Sequence, residues 1–282
     1  MNTFFCRAFQ CCFAVGARFL PWRTPEVFSG EGSLLRAADI LRENGLRRPF
    51  VIASRRQCAD EHFRALQEKL DEQDILLSIF SSVEPNPSVE TVEKIAAGFD
   101  GIVLVDEAYA PFADYSCVPL VEKYPNLIVT GTSSKGLGLA GMRIGWAFAN
   151  PAIIEVLDRV RDSYNLDRLA QAAGIAALAD APYYAQKCGA VIAERESVEK
   201  FFDKLGWQYH KSSANFVFFR PNKNGKKGAK VAADLFEFMR GKKILMRYFP
   251  TQKKIADGIR LSIGTAAQMK LFKKAALEWA QK

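Results

Sequence analysis

A single lysine stands between hydroxyl side chains and a glycine-rich run in the stretch TGTSSKGLGLAGMRIGW, residues 130–146. Lys135 follows Thr132 and Ser134, and Arg143 comes eight positions after the lysine. A lysine that lies beside apolar surface loses its proton more easily than a solvated one, which makes its amine a nucleophile toward aldehydes. The two hydroxyls and the forked guanidinium suit a phosphate group. The stretch therefore predicts a site that takes an aldehyde and a phosphate together.

A second apolar strand supplies a carboxylate. The stretch GIVLVDEAY, residues 101–109, is continuously apolar until it reaches Asp106. Such strands are typical of parallel sheets buried on both faces, and their carboxyl ends hold ligands. The carboxylate of Asp106 is able to keep a pyridine nitrogen protonated, and an aldehyde, a phosphate and a pyridinium on one molecule describe pyridoxal 5'-phosphate. Taken singly, Asp106 has a helix cap as its alternative role, and Arg143 a surface ion pair.

Alternating strands and helices must position these groups. The runs PFVIAS, ILLSIF, GIVLVD and NLIVTG predict buried strands, and the amphipathic stretches among them predict helices. This alternation indicates an α/β fold of three layers, with a mostly parallel central sheet between helices. The strands ANFVFF, ILMRY and IRLSIG, with the helix VAADLFEFMRG and a final helix, predict a smaller C-terminal α+β domain. The predicted domains are residues 1–98, 99–179 and 180–282.

From about Gly101 to its end, the chain resembles the histidinol-phosphate aminotransferase group of class I and II aminotransferases, which are pyridoxal-phosphate enzymes of fold type I. The matching stretches occur in family order: VDEAYAPF, TSSKGLGLAGMRIGW, RDSYNLDRLAQAA, KSSANFVFFRP, ILMRYF and IRLSIGT. The resemblance implies transamination of histidinol phosphate or a related aromatic amino substrate, with a 2-oxoacid as the second substrate. It also implies a homodimer.

The resemblance further implies roles for individual residues in binding the cofactor. Lys135 matches the lysine that forms the Schiff base and also moves the substrate proton. Asp106 matches the partner of the pyridine nitrogen, and Tyr109 the residue that bonds the phenolic oxygen. The residues that match the phosphate ligands are Thr132, Ser134 and Arg143.

Two arginines match the substrate-binding residues of the same group. Arg260, in IRLSIGT, matches the clamp on the substrate carboxylate. Arg247, in ILMRYF, stands where the group contacts the distal and often phosphorylated end of the substrate. Both roles suit guanidinium geometry. Related enzymes with the same lysine and arginines act on aromatic amino acids or decarboxylate phosphothreonine, so the exact substrate stays open.

The first third of the chain resembles a different family, the iron-containing alcohol dehydrogenases, in FSGEGSL, FVIAS and VEPNPSVETVEKI. The GGGS phosphate turn of that family is absent, and His62 and His210 are the only histidines, which argues against a working NAD-dependent dehydrogenase. The segment before Gly101 also lacks the ring-stacking aromatic and the NPNNPTG asparagine of a complete aminotransferase. We interpret the chain as two families joined near residues 95–101. A catalytically inactive chimera is therefore the alternative to an active transaminase.

Composition bounds the remaining functions. The chain has 282 residues, a net charge of +8 and six scattered cysteines without a CxxC pair, which favours a reduced, cytoplasmic setting. Its lysines are dispersed, so we expect no nucleic-acid partner, and two histidines cannot build a histidine-rich metal site. Residues 1–22 interleave Arg7 and Arg18 with aromatic residues. We expect a helix packed on the protein there, with an interfacial helix or a transit-like segment as alternatives, and no membrane span.

Overall fold

A computed structural model describes residues 26–83 and 87–281. The helix expected within residues 1–22 lies outside the described residues. The chain divides into two compact units, Met1–Val83 and Glu84–Lys282. The predicted domain bounds at residues 98 and 179 stay predictions. Within the described ranges, no helix is long and apolar enough to cross a membrane.

The first unit contains a parallel pair of short strands, β1 (Phe50–Ile52) and β2 (Ser78–Phe80). Its helices are α1 (Arg36–Glu43), α2 (Arg55–Cys58) and α3 (Glu61–Asp71). The strands and helices predicted from PFVIAS, ILLSIF and the amphipathic stretches are thus present, but the two strands are not buried as predicted, since Ile52 is 49% and Ile79 38% exposed. A small apolar core forms because α1 and α3 turn their hydrophobic stripes toward each other. Its buried members are Ala38, Phe63, Leu66, Leu70 and Ile75.

The second unit begins with a three-stranded sheet in the order β3-β4-β5. These strands are β3 (Val103–Asp106), β4 (Leu127–Thr132) and β5 (Gly145–Ala149). Strands β3 and β4 are parallel, whereas β5 runs antiparallel to β4. The surrounding helices are α4 (Val89–Gly98), α5 (Pro151–Val160) and α6 (Arg168–Ala179). The parallel pairs β1–β2 and β3–β4 with their helices confirm the predicted α/β class.

A long helix leads into the C-terminal lobe. Helix α7 (Ala181–Leu205) ends at Gly206, whose φ of 63° is the left-handed conformation that favours glycine. The lobe has a four-stranded antiparallel sheet in the order β6-β7-β9-β8. Its elements are β6 (Gln208–Tyr209), β7 (Phe216–Arg220), α8 (Ala229–Gly241), β8 (Arg247–Tyr248), β9 (Ile259–Ser262) and α9 (Ala266–Gln281). This is the α+β lobe that the sequence predicts.

Aromatic rings fill the core of the lobe. Phe202, Phe219 and Phe272 are fully buried, and Trp207 is nearly so. The ring centroids of Phe202 and Phe219 are 4.5 Å apart, and the Trp207 and Phe219 rings stack at 5.2 Å. Because such rings bury large apolar areas against one another, this core fixes β7 between α7 and α9.

We expect Phe219→Ala to lower the free energy of unfolding by about 3–5 kcal/mol, because it opens a cavity among these rings. Urea denaturation followed by tryptophan fluorescence measures the change. Leu245→Ala is the control, since that side chain is 81% exposed, and its change should stay within about 0.5 kcal/mol. Equal losses in the two variants would contradict the proposed core.

Candidate active site

Asp106 is the last residue of β3, and its neighbour in the register is Thr130 of β4. Its side chain is exposed, and Oδ1 accepts a hydrogen bond from the Ala108 N–H at 2.9 Å. This bond holds the first turn after the strand, whereas the N-cap position of the 3₁₀ turn that follows is Tyr109, so Asp106 is not a helix cap. One bond from a neutral amide leaves acceptor capacity on the carboxylate. Asp106 can therefore hold the turn and still face a ligand.

Glu107 is committed to the loop that follows. Its Oε2 accepts a hydrogen bond from the Ser116 hydroxyl at 2.6 Å, and its Oε1 accepts one from the Cys117 N–H. The Glu107 N–H itself donates to the carbonyl of Thr130 at 2.8 Å. Glu107 thus closes the segment from β3 to Cys117 into a compact loop. Of the two adjacent carboxylates, Asp106 is the one whose oxygens remain available.

The same contacts affect the Cys117 thiol. Burial, followed by the charge of Glu107 and its hydrogen bond, together raise the pKa of the Cys117 thiol to about 11. The folded protein therefore favours the neutral thiol. The resulting stabilisation is complete below the ordinary pKa of 9.0 and is lost as the pH rises toward about 11.

We expect Cys117 to resist iodoacetamide at pH 8 and to react only as the pH approaches its raised pKa, because the thiolate is the nucleophile. Site-resolved mass spectrometry measures the labelling, with the half-buried Cys58 as the internal control. Glu107→Gln keeps the size of the side chain but removes the charge, so Cys117 should then react at a lower pH. Rapid labelling of Cys117 at pH 8 in the folded protein would contradict the arrangement.

Hydroxyl groups organise the turn that carries the lysine. Thr132 Oγ1 lies 3.0 Å from Ser134 Oγ and accepts a hydrogen bond from the Ser134 N–H at 3.1 Å. Ser133 is buried, and its hydroxyl donates to the carbonyl of Ile144 at 3.1 Å. The Leu139 N–H closes the turn by donating to the carbonyl of Ser133 at 3.0 Å. These local bonds place the Thr132 and Ser134 oxygens side by side.

Lys135 leaves this turn on an exposed side chain and reaches Tyr109. Its Nζ lies 5.5 Å from the centre of the Tyr109 ring. The turn packs directly on the loop after β3, because a Cβ on Gly136 would lie only 2.6 Å from Pro111 Cγ. Glycine at this position permits the close approach. Two segments predicted to bind one cofactor are thus adjacent.

Tyr109 also connects the lysine to the C-terminal lobe. Its ring meets Phe216 of β7 edge to face, with centroids 5.5 Å apart. The guanidinium of Arg260 lies over the Phe216 ring, with Cζ 4.9 Å from the ring centre. Lys135, Tyr109, Phe216 and Arg260 therefore form a continuous row of contacts. We call this row the Lys135–Arg260 row.

The two predicted substrate arginines lie on neighbouring strands. Arg247 of β8 is the register partner of Arg260 of β9. Arg247 stacks over Phe249, with Cζ 5.6 Å from the ring centre. The Nε of Arg260 is buried and has no hydrogen-bond partner among the described residues. An unpaired buried donor favours an anionic acceptor, so this end of the row suits a carboxylate.

Arg143 is less directly placed than the other predicted phosphate ligands. It adopts the left-handed conformation, with φ 54°, and its Nη1 donates to the carbonyl of Ala140 at 3.0 Å. The guanidinium is exposed and takes part in its own turn rather than bonding Thr132 or Ser134. A role on phosphate would require the side chain to leave the Ala140 carbonyl.

Sequence reasoning missed two residues that shape this site. Phe216 lies in the predicted strand ANFVFF, but nothing in that pattern shows that its ring separates Tyr109 from Arg260. Arg195 is buried in the middle of α7 and has no distinctive sequence context.

His210, predicted to be structural, has its Nε2 3.5 Å from the Arg220 guanidinium. Among the described residues, no group of histidine, cysteine and acidic side chains could hold a metal ion.

Comparison with known proteins places this chain in a family. The model of the aminotransferase class I and II family matches residues 61–275. A histidinol-phosphate aminotransferase from Geotalea uraniireducens is 41% identical over 206 residues, which are 71% of this chain and 57% of the relative. One from Citrifermentans bemidjiense is 44% identical over 188 residues, 66% of this chain and 51% of that protein. The chain thus spans about half the length of the curated relatives it matches.

Solved structures agree at the level of the fold. The crystal structure of histidinol-phosphate aminotransferase from Sinorhizobium meliloti in complex with pyridoxal-5'-phosphate has a TM-score of 0.60 and 21% identity, and covers 89% of this chain and 75% of that one. The enzyme of the same name from Clostridium acetobutylicum has a TM-score of 0.61 and 15% identity, with 98% and 95% coverage. At these identities the likeness shows the fold. Together with the family model, which spans well over half of the sequence, it shows that the chain belongs to the class I and II aminotransferases.

Proposed function

We propose that this protein is a pyridoxal-phosphate-dependent aminotransferase that acts on histidinol phosphate or a related aromatic amino substrate. The observation that carries the proposal is the Lys135–Arg260 row, which joins the amine of Lys135 to an unpaired buried guanidinium donor. The names of the relatives support the substrate class. A 2-oxoacid is the proposed second substrate.

The residues present fit pyridoxal phosphate in their chemistry. Lys135 offers an amine to the aldehyde, Asp106 a free carboxylate oxygen to the pyridine nitrogen, and Tyr109 a hydroxyl to the phenolic oxygen. Adjacent oxygens from two hydroxyls, with Arg143, would hold the phosphate. When bound, the cofactor supplies an electrophilic aldehyde and an electron-withdrawing ring.

The chain's own groups then divide the work. With the cofactor bound, Lys135 Nζ would hold its aldehyde and would take up and give back the proton of the substrate carbon, as a general base and acid. Asp106 keeps the positive charge on the ring nitrogen by opposing it with a carboxylate. Arg260 binds the carboxylate of amino-acid and oxoacid substrates, and Arg247 the distal phosphate of a phosphorylated one.

The second candidate is a protein that retains the fold and has lost turnover. It is favoured by the residues before Gly101, which lack the stacking aromatic and the asparagine of the aminotransferase motif. A site that lacks one wall can lose orders of magnitude in rate. The homodimer and the cytoplasmic location also stay predictions.

The alcohol dehydrogenase resemblance of residues 1–95 belongs with these proposals. The match to the aminotransferase family model begins at residue 61, so residues 61–95 lie both in that match and in the segment that resembles alcohol dehydrogenases. We propose that any junction of the two families lies near residues 95–101, just before the segment with the strongest aminotransferase motifs.

A spectroscopic titration tests the function. The purified protein is titrated with pyridoxal phosphate, its visible absorption is recorded, and histidinol phosphate is then added with a 2-oxoacid. A saturable band that shifts with the amino substrate, together with steady turnover, supports the aminotransferase. A saturable band without turnover supports the inactive alternative. No saturable band would contradict the proposed cofactor site.

A further inference from the structure

A buried arginine joins the two halves of the site. Arg195, in helix α7, is only 7% exposed. Its Nη1 donates to two backbone carbonyls, to Phe112 at 3.0 Å and to Ala214 at 2.8 Å. The two hydrogens of one nitrogen thus fix two carbonyls that are distant in sequence.

These carbonyls belong to the segments on which the Lys135–Arg260 row depends. Phe112 lies three residues after Tyr109, in the 3₁₀ turn Ala110–Phe112. Ala214 lies two residues before Phe216, at the entrance to β7. The Tyr109–Phe216 ring contact is the one link in the row that crosses between these segments. Arg195 therefore braces the row where it passes from the cofactor residues to the substrate residues.

Helix α7 also holds the turn before β7 through a second side chain. Glu199, one turn after Arg195 and also buried, accepts a hydrogen bond from the Ser212 N–H at 3.2 Å. The Ser212 hydroxyl donates to the carbonyl of Phe216 at 2.6 Å and accepts from the Ala214 N–H at 3.1 Å. The turn before β7 is thus held from α7 by a donor and an acceptor. Its position depends on both side chains.

Physical chemistry explains why an arginine suits this position. A guanidinium keeps its charge at any ordinary pH, and hydrogen bonds from a charged donor are about twice as strong as neutral ones. Removing the donor would leave two shielded carbonyls without their partner, which costs more than the bonds themselves contribute. The two segments would then be free to separate.

We propose that Arg195 is a positioning residue that sets the placement of Tyr109 against Phe216 and, through them, aligns Lys135 with Arg260. Its consequence for catalysis rests on the proposed aminotransferase function. Its consequence for the structure does not, because the contacts are made within the chain alone.

Hydrogen–deuterium exchange of the protein without cofactor tests the structural part. We expect Arg195→Met to speed exchange about tenfold or more in peptides covering residues 107–117 and 212–218, with peptides from α8 and α9 unchanged. Lys200→Met is the matched control, since it removes an exposed positive charge from the same helix. Arg195→Lys keeps a charged donor and should give intermediate exchange. It also serves as the test if the methionine variant does not fold.

Kinetics of the cofactor-loaded protein test the catalytic part. For a substrate that carries a carboxylate, Arg195→Met should reduce kcat/KM by about 10- to 100-fold, mainly by raising the KM. Arg195→Lys should restore part of this loss. If Arg195→Met speeds exchange in both segments but the wild type does not bind pyridoxal phosphate, the positioning role is supported and the proposed function is wrong. Exchange equal to that of Lys200→Met overturns the positioning role. Unchanged KM and kcat in an active protein overturn its link to catalysis.

Discussion

Lys135→Ala is expected to abolish transamination and the visible band that pyridoxal phosphate forms with the wild type. Proton transfer by a positioned group contributes about 10²- to 10⁴-fold to a rate, and here the same amine also provides the covalent link. We therefore expect kcat to fall by at least about 10³-fold. Absorbance titration and a coupled assay for the amino acid formed from the 2-oxoacid measure the two effects separately.

The control must separate this lysine from others, because exposed lysines also react with aldehydes. Lys187→Ala is suitable, since that ammonium lies 4.8 Å from the ring of Tyr183 and so resembles Lys135 in stacking on a tyrosine. Its spectrum and rate should match the wild type. A Lys135→Ala protein that keeps the saturable band would show that the cofactor binds elsewhere.

The elements that carry the site were predictable from local patterns. Strand β3 is apolar until it ends at Asp106, and β4 begins with the apolar run Leu127–Val129 and ends at the polar Thr132. Parallel pairing then brings these ends to the same edge of the sheet. The proximity of Lys135 and Tyr109 follows from that topology, with Gly136 allowing the close approach.

Other features depend on contacts that no local pattern encodes. Asp106 and Glu107 are adjacent carboxylates, and only the fold shows that Glu107 is occupied by Ser116 and Cys117. Arg195 bonds a carbonyl 83 residues away in sequence, so its role depends on tertiary structure. Likewise, the predicted strand ILMRY shortens to Arg247–Tyr248, and the Ile244 N–H donates to the carbonyl of Met239 at the end of α8 rather than to a neighbouring strand.

The roles of the two substrate arginines should be distinguishable by whether the substrate carries a carboxylate or a phosphate. Arg260→Leu removes the buried donor at the end of the row, and we expect kcat/KM to fall for every carboxylate substrate. Truncating one member of a buried charge pair costs about 2–5 kcal/mol, which is a factor of roughly 30 to several thousand. The loss should appear mainly in KM, because the carboxylate is bound equally in the ground state and the transition state.

Arg247→Leu is the matched variant, since it removes the same group from the register partner of Arg260. The kcat/KM for histidinol phosphate, which carries a phosphate and no carboxylate, should fall. The kcat/KM for an aromatic amino acid without phosphate should stay within about threefold of the wild-type value. Measuring both substrates with both variants yields a two-by-two comparison in which each arginine reports on its own anion. If both variants weakened both substrates equally, the arginines would act as one general positive field, and the assignment of carboxylate to Arg260 and phosphate to Arg247 would be wrong.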